Sequence, residues 1–245
     1  LSADGSIVAI GATGNDGAGN NSGHVRIYKN DNGNWTQIGS DIEGELANNY
    51  SGFSVSLSDD GSIVAIGAIG NDADGGVYDD LGHTRIYKND NGSFVDTESN
   101  LTKVYDGSLS WVDLNKDGWL DLVVSGYNDG AITKIYLNQN GESFIAETNS
   151  WDIPMAYNSK MSWGDLDNDG DLDLAFVGID DFNQGFSYLY LRVNGENRFI
   201  VQDLSYFSGG GFKFGDLEIG DFDQDSDNDL IFSGERINGE IRAQI

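Results

Sequence analysis

Apolar positions in this chain come in short runs rather than in long stripes. The clearest runs are SIVAIGA at 6–12 and 62–68, LDLVVSG at 120–126 and LDLAFVG at 172–178, each ending at or beside glycine. Continuous apolar runs of this length, bounded by turn residues, are typical of strands buried on both faces of a sheet. No stretch of useful length has the 3.6-residue period of an amphipathic helix. The pattern therefore predicts an all-β protein.

A second kind of segment alternates polar and apolar residues. It occurs as HVRIYKN at 24–30, TRIYKN at 84–89, ITKIYLN at 132–138 and FSYLYLRV at 186–193. Alternation predicts strands with one polar face, as in the outer part of a sheet. Asn-Gly, the preferred pair for a tight hairpin turn with positive φ, follows each of them. The pairs are Asn32-Gly33, Asn91-Gly92, Asn140-Gly141 and Asn194-Gly195.

These strand patterns recur as repeats of about 50 to 60 residues. In the first half, LSADGSIVAIGATGND at 1–16 returns as LSDDGSIVAIGAIGND at 57–72. In the second half, a different unit occurs as SWVDLNKDGWLDLVVSG at 110–126, SWGDLDNDGDLDLAFVG at 162–178 and IGDFDQDSDNDLIFSG at 219–234. Repeated four-stranded antiparallel units of this length are blades of a β-propeller. About five blades are predicted.

The three units of the second half each carry an acidic loop before the apolar strand. Carboxylates or an Asn occupy positions 1, 3, 5 and 9, and position 6 is Gly118, Gly170 or Ser226. Loops that coordinate a hard cation with oxygen ligands have this pattern. The glycine allows the sharp turn, and the backbone carbonyl at position 7 is a further ligand. The predicted ligands are Asp113, Asn115, Asp117, Trp119 and Asp121; Asp165, Asp167, Asp169, Asp171 and Asp173; and Asp221, Asp223, Asp225, Asp227 and Asp229. Trp119, Asp171 and Asp227 are the position-7 carbonyl donors.

Calcium is the ion that these loops favour. Position 12 of an EF-hand would be a bidentate Glu, but Val124, Phe176 and Phe232 stand there, so the loops belong to β-hairpins. Five or more protein oxygens suit a larger ion than magnesium, and zinc is disfavoured without Cys or clustered His. Solvated turn residues are the alternative interpretation. Ser226 makes the third loop the weakest candidate, because a residue with a Cβ must take the glycine conformation there.

Composition narrows the classes of partner. The chain has 245 residues, with 13 Lys and Arg against 41 Asp and Glu, and a formal net charge of −28. Such a charge repels nucleic acid and anionic membranes, so we expect neither as a partner, and no apolar run is long enough to span a membrane. The absence of Cys excludes thiol chemistry and disulfides. The two histidines, His24 and His83, start equivalent alternating strands, which favours a structural role.

The second half resembles the FG-GAP/VCBS repeats of integrin-α-like propellers, on the DxDxDGxxD pattern at 113–121, 165–173 and 221–229. The first half resembles the calcium-free FG-GAP variety of large bacterial surface proteins. It keeps SGFSVSLSDDGSIVAIGA at 51–68, with Gly52-Phe53 in inverted order and Ile69 where the family often has Pro. The resemblance implies a seven-bladed fold, an extracellular or cell-surface setting and roles in adhesion or ligand display.

The domain organisation expected from these patterns is one propeller over residues 1–245. Two calcium-free blades occupy 1–100, and three blades with calcium loops occupy 101–245. The first unit lacks a counterpart of FSVSLS at 53–58, and the last is one strand short after EIRAQI at 240–245. We therefore expect a fragment of a larger propeller of about seven blades, with a secretion signal upstream of Leu1.

Three functions are compatible with the sequence. The preferred one is a non-catalytic module with up to three structural Ca²⁺ ions, which binds an extracellular protein or glycan. The alternatives are the propeller domain of a polysaccharide lyase or hydrolase, and a propeller lectin with one sugar site per blade. Catalysis normally needs one asymmetric site, and no constellation outside the repeats is apparent. Trp111 and Trp163 are the only hint of a lectin, and Ile219 replaces Trp at the third equivalent position.

Overall fold

The described residues of a computed structural model are 1–70, 82–147, 151–193, 198–204, 212–236 and 241–244. They form β-strands joined by turns, and no helix among them is long and apolar enough to cross a membrane. The strands are β1 (Ile7–Ala12), β2 (His24–Asp31), β3 (Asn34–Glu43), β4 (Ser51–Leu57), β5 (Ile63–Ala68), β6 (His83–Asp90), β7 (Ser93–Asp96), β8 (Tyr105–Val112), β9 (Asp121–Tyr127), β10 (Ala131–Gln139), β11 (Ser143–Ala146), β12 (Tyr157–Gly164), β13 (Asp173–Ile179), β14 (Gly185–Arg192), β15 (Phe199–Asp203), β16 (Phe212–Gly220), β17 (Asp229–Arg236) and β18 (Ile241–Gln244).

These strands make five antiparallel sheets in chain order. The first sheet is β1-β2-β3 and the last is β16-β17-β18, while the three between them have four strands each, β4 to β7, β8 to β11 and β12 to β15. Each strand pairs with its neighbours in sequence, so every sheet is a simple meander. The predicted all-β propeller-type fold with five blades is confirmed.

Successive sheets pack face to face through their middle strands. In β9, Val123 faces a core shared with the fourth sheet, whereas Leu122 and Val124 face a core shared with the second. β13 behaves alike, since Leu174 and Phe176 face the third sheet while its alternate residues face the fifth. Side chains of a strand alternate between faces, so a strand held between two cores must be apolar throughout. This explains the continuous runs LDLVVSG and LDLAFVG.

The first strand departs from this scheme. SIVAIGA was predicted to be buried on both faces in both copies, but only β5 is, and Ile10 of β1 is 50% exposed. β1 is an edge strand, paired only with β2 in the described part of the chain. Its twin β5 lies between β4 and β6. The prediction was wrong for β1, because burial depends on the neighbouring strand as well as on the sequence.

Hairpin turns occur where the sequence placed them. Asn32 and Gly33 have φ values of 52° and 90°, Asn91 and Gly92 have 52° and 91°, and Asn140 and Gly141 also have positive φ. Positive φ at both central residues is the tight turn that Asn-Gly favours. Asn194-Gly195 lies outside the described residues.

Contacts between sheets follow the chain. β4 contacts β1 and β8, β8 contacts β12, and β12 contacts β16. Among the described residues, no contact of comparable extent joins the first sheet to the fifth. The division into calcium-free and calcium-loop blades and the total of about seven blades stay predictions.

Replacing Phe176 by Ala tests the packing between the third and fourth sheets. Phe176 is fully buried and meets Phe186 edge to face at 5.3 Å between ring centroids. We expect Phe176→Ala to lower the free energy of unfolding by about 3–5 kcal/mol, measured by urea titration. Phe182→Ala is the control, since Phe182 is 81% exposed, and it should change stability by less than about 0.5 kcal/mol. Equal effects of the two substitutions would contradict the packing.

Candidate metal centres

The three acidic loops occupy equivalent places in three successive blades. They join β8 to β9, β12 to β13, and β16 to β17, and each is the connection of one antiparallel hairpin. The predicted hairpin setting is therefore correct, and position 9 of each loop is the first residue of the following strand: Asp121, Asp173 and Asp229.

The first residue of each loop organises the backbone. Asp165 accepts the backbone N–H of Asp169 on Oδ1 at 3.1 Å and that of Gly170 on Oδ2 at 3.0 Å. The equivalent bonds recur in the other two loops, where Asp113 and Asp221 are the acceptors. Position 5 then accepts the N–H of position 7, at 2.8–3.0 Å in the three loops. The loops are thus curled around their carboxylates in one shared conformation.

The glycine position has the same backbone in all three loops. Gly118 has φ 88°, Gly170 has φ 84°, and Ser226 has φ 81°. Position 4 is also left-handed, at Lys116, Asn168 and Gln224, with φ between 58° and 64°. Ser226 therefore takes the glycine conformation, as the prediction required, although a side chain makes that conformation unfavourable.

The ninth-position carboxylates are the most enclosed. Asp121 and Asp173 are fully buried, whereas Asp229 is half-buried. In each, Oδ2 accepts the backbone N–H of loop position 2, at 3.1 Å from Leu114 and 2.8 Å from Leu166. The other oxygens of Asp121 and Asp173 accept N–H groups of the next strand, those of Asn138 and Arg192, each at 2.8 Å.

Burial and mutual repulsion oppose ionisation of these groups. Burial raises the pKa of Asp121 to about 6. The backbone hydrogen bonds that Asp121 accepts lower its pKa, and the charge of Asp117 raises it further. Burial also raises the pKa of Asp173, and the nearby charge of Asp225 raises that of Asp223. An ionised cluster of this kind is unfavourable by itself, and a bound cation reverses the balance.

The donor set fits a calcium ion. Oxygens of Asp165, Asp167 and Asp173 lie within 4.8 Å of one another, as do those of Asp221, Asp223 and Asp225. Because 4.8 Å is about twice a Ca–O bond of about 2.4 Å, three oxygens at this spacing can bind one ion together. In the first loop position 3 is Asn115, and the loop's carboxylates form no such group of three among the described residues. All of these donors are hard oxygen ligands.

Neighbouring loops are linked in a way that the sequence did not reveal. The Nζ of Lys116, at position 4 of the first loop, contacts the carboxylate of Asp171 and the carbonyl of Gly170 in the second. Asn168 donates from Nδ2 to Asp227 of the third loop at 3.0 Å. Position 4 of one loop thus binds position 7 of the next. The sequence shows a polar residue at position 4 of each loop. It does not show that the partner of that residue lies more than 50 residues away.

The tryptophans separate into packing and exposed residues. Trp111 donates from Nε1 to the Ser56 carbonyl of the preceding blade at 3.0 Å, and Trp163 packs in the core between the third and fourth sheets. Both therefore pack within and between blades. Trp151 is buried under the guanidinium of Arg192.

Other loops of functional interest are less informative. The loops at 15–23 and 128–130, which are rich in Gly, Asn and Asp, lie within the described residues, whereas 71–81 of the similar loop at 71–82 lies outside them. A group that sequence analysis missed lies in the first blade, where His24, Asp41 and Glu43 come together. The sequence spacing of these three residues does not predict that their side chains lie close together.

Exchanging serine and glycine at position 6 tests the shared loop backbone. Ser226→Gly should raise the free energy of unfolding by about 0.5–1 kcal/mol, because the strain of a left-handed serine is removed. Gly170→Ser, at the matched position of the second loop, should lower it by about 1–2 kcal/mol. Urea unfolding in chelator measures both. Changes of the same sign in the two variants would contradict the shared conformation.

Comparison with known proteins agrees with the repeats. Residues 113–176 match the family model of the FG-GAP-like repeat, a range that holds the first two acidic loops. No curated protein matches the chain. A solved structure of the periplasmic gluconolactonase PpgL of Pseudomonas aeruginosa is similar, with 12% identity and a TM-score of 0.43. The alignment covers 98% of this chain, which spans 66% of the length of that one.

One expectation is corrected by this comparison. A non-catalytic protein was expected, but the similar structure is a gluconolactonase, which is an enzyme, and this finding contradicts the expectation. Its premise also fails, because His24, Asp41 and Glu43 form a group that the described part of the second blade does not repeat. The chain is a β-propeller-type protein, and its residues 113–176 match the model of the FG-GAP-like repeat.

Proposed function

We propose that this chain is a calcium-binding propeller module whose ions are structural. Three hairpin loops would hold one Ca²⁺ each, through side-chain oxygens at positions 1, 3, 5 and 9 and the backbone carbonyl at position 7. The observation that supports this most strongly is the convergence of Asp165, Asp167 and Asp173 oxygens within 4.8 Å, in a loop already curled by its own backbone hydrogen bonds.

Electrostatics gives calcium its stabilising role. The loops bring ionisable carboxylates together, and burial of Asp121 and Asp173 raises their pKa values. Bringing these charges together opposes folding at neutral pH unless a cation binds. Three Ca²⁺ ions would offset six of the 28 net negative charges. Calcium should therefore stabilise the folded chain by mass action.

Contacts between neighbouring loops would extend the stabilisation by calcium from one blade to the next. Lys116 reaches Asp171, and Asn168 reaches Asp227, so each loop is bonded to its neighbour. An ion that fixes one loop also fixes the residue to which the preceding loop binds. We propose that calcium stabilises the packing of successive blades as well as the separate hairpins.

We further propose a secreted or cell-surface setting and a protein or glycan ligand bound through loops. The net charge of −28 opposes nucleic acid and anionic membranes as partners. Extracellular calcium concentrations suit sites of modest affinity. The resemblance of the first two blades to repeats of bacterial surface proteins supports adhesion or ligand display as the wider role.

Thermal unfolding with EDTA, Ca²⁺ or Mg²⁺ at one ionic strength tests the calcium proposal. At 100 times the dissociation constant, each occupied site adds about 2.7 kcal/mol, which raises Tm by about 5–10 °C in a chain of this size. The rise should be specific to calcium. Asp169→Ala and Asp117→Ala should each remove part of it.

Asp59→Ala is the matched control for these variants. Asp59 is an exposed aspartate in the turn before β5, where the first-half repeat lacks the acidic loop. Its removal changes the net charge equally and should leave the calcium-dependent rise in Tm intact. A Tm that is the same in calcium and EDTA, or a rise that Asp59→Ala reduces as much as Asp169→Ala does, would refute structural calcium.

A further inference from the structure

A buried histidine at the start of β2 has an atom without a hydrogen-bond partner. His24 is 4% exposed, and its Nδ1 makes no hydrogen bond in the described part of the protein. The nearest acidic atom is Oδ2 of Asp41 at 3.6 Å, which is too far for a hydrogen bond. Nearly all buried polar atoms in proteins have a hydrogen-bond partner, so the Nδ1 of His24 has a free position at which it can bind a ligand.

Two carboxylates complete a set of ligands around this nitrogen. Glu43 lies directly opposite His24 in the pairing of β2 with β3, and Asp41 precedes it in the irregular part of β3. One atom from each of the three residues lies within 4.8 Å of the others. Gly17 leaves room for the Glu43 carboxylate, because a Cβ at Gly17 would lie 2.6 Å from both of its oxygens.

The spacing suits a transition-metal ion. With bonds of about 2.0–2.2 Å, neighbouring ligands of a tetrahedral Zn²⁺ ion lie about 3.4 Å apart. The separation of 3.6 Å between His24 Nδ1 and Asp41 Oδ2 is already close to this value. The exposed Glu43 side chain can close the remaining distance by rotation.

Hydrogen bonds from neighbouring side chains orient the carboxylate of Asp41. Arg26 donates from Nε to Oδ1 at 2.8 Å and from Nη2 to Oδ2 at 2.7 Å, and Gln37 donates to Oδ1 at 2.8 Å. These donors, Arg26 foremost, lower the pKa of Asp41 to about 2, so it is ionised at neutral pH. Such outer partners orient the ligands of metal sites. With Arg26 counted, the group keeps one net negative charge to attract a cation.

We propose that His24, Asp41 and Glu43 bind one divalent transition-metal ion, for which Zn²⁺ is the best match. An imidazole nitrogen with two carboxylates favours such an ion over Ca²⁺ and Mg²⁺, which take oxygen ligands. The site lies where Ala12 of β1 pairs with His24, at the opposite end of the strand from the turn at Asp4-Gly5. It is independent of the calcium proposal.

The second blade supplies a natural control. His83 is the repeat counterpart of His24, but its Nε2 accepts the Nε–H of Arg85 at 2.7 Å, and Arg85 also pairs with Asp96. No group of three ligands forms around His83 among the described residues. The two histidines of the chain thus differ in surroundings, so one should bind the ion and the other should not.

Calorimetric titration of the full chain with ZnCl₂, in excess Ca²⁺ to occupy the acidic loops, tests this site. One zinc ion should bind per chain, and His24→Gln and Glu43→Gln should each weaken binding at least about tenfold. His83→Gln should bind as the wild type does. Because Glu43 is exposed, its variant tests the site even if His24→Gln folds poorly.

Nitrogen NMR of the two imidazoles gives a second measurement. Zinc should shift the Nδ1 resonance of His24 and leave that of His83 unchanged. The proposal is overturned if the wild type binds no zinc, if Glu43→Gln binds zinc as tightly as the wild type, or if His83→Gln loses zinc binding and His24→Gln keeps it.

Discussion

The fold depends on middle strands that are buried on both faces. β9 and β13 each divide their alternate side chains between two cores, so the third and fourth blades each share apolar surface with the blade before and the blade after. A single sheet of three or four strands cannot bury such a strand alone. The blades therefore stabilise one another in sequence, and β1 is exposed because it lies at an edge.

That packing fixes where the charges lie. Because each hairpin from an inner strand to a middle strand occupies the same place in its blade, the three acidic loops come together at one end of the sheets. The loops bond to one another through Lys116 with Asp171 and through Asn168 with Asp227. Apolar packing and acidic loops are thus parts of one repeated unit, in which Asp121 and Asp173 are buried.

Much of this arrangement follows from local sequence. Apolar runs predicted the middle strands, Asn-Gly predicted the tight turns at Asn32 and Asn91, and the positions of Asp and Gly predicted loops of one shared conformation. These features depend on residues close together in the chain. The turn at Ser226 also followed, since its backbone had to match that of Gly118 and Gly170.

Features that depend on distant residues did not follow from the sequence. The partner of Lys116 is 55 residues away, and Asp41 reaches His24 only through an irregularity in β3. The burial of Trp151 depends on Arg192 from a later strand. Such contacts are set by how blades pack, which repeat spacing alone does not determine.

The most direct test of structural calcium is to count the ions. The full chain, stripped with chelator and then dialysed against Ca²⁺ in excess Mg²⁺, should retain three calcium ions, and two after Asp169→Ala. Retention of no calcium, or of the same number after that substitution, would contradict the account.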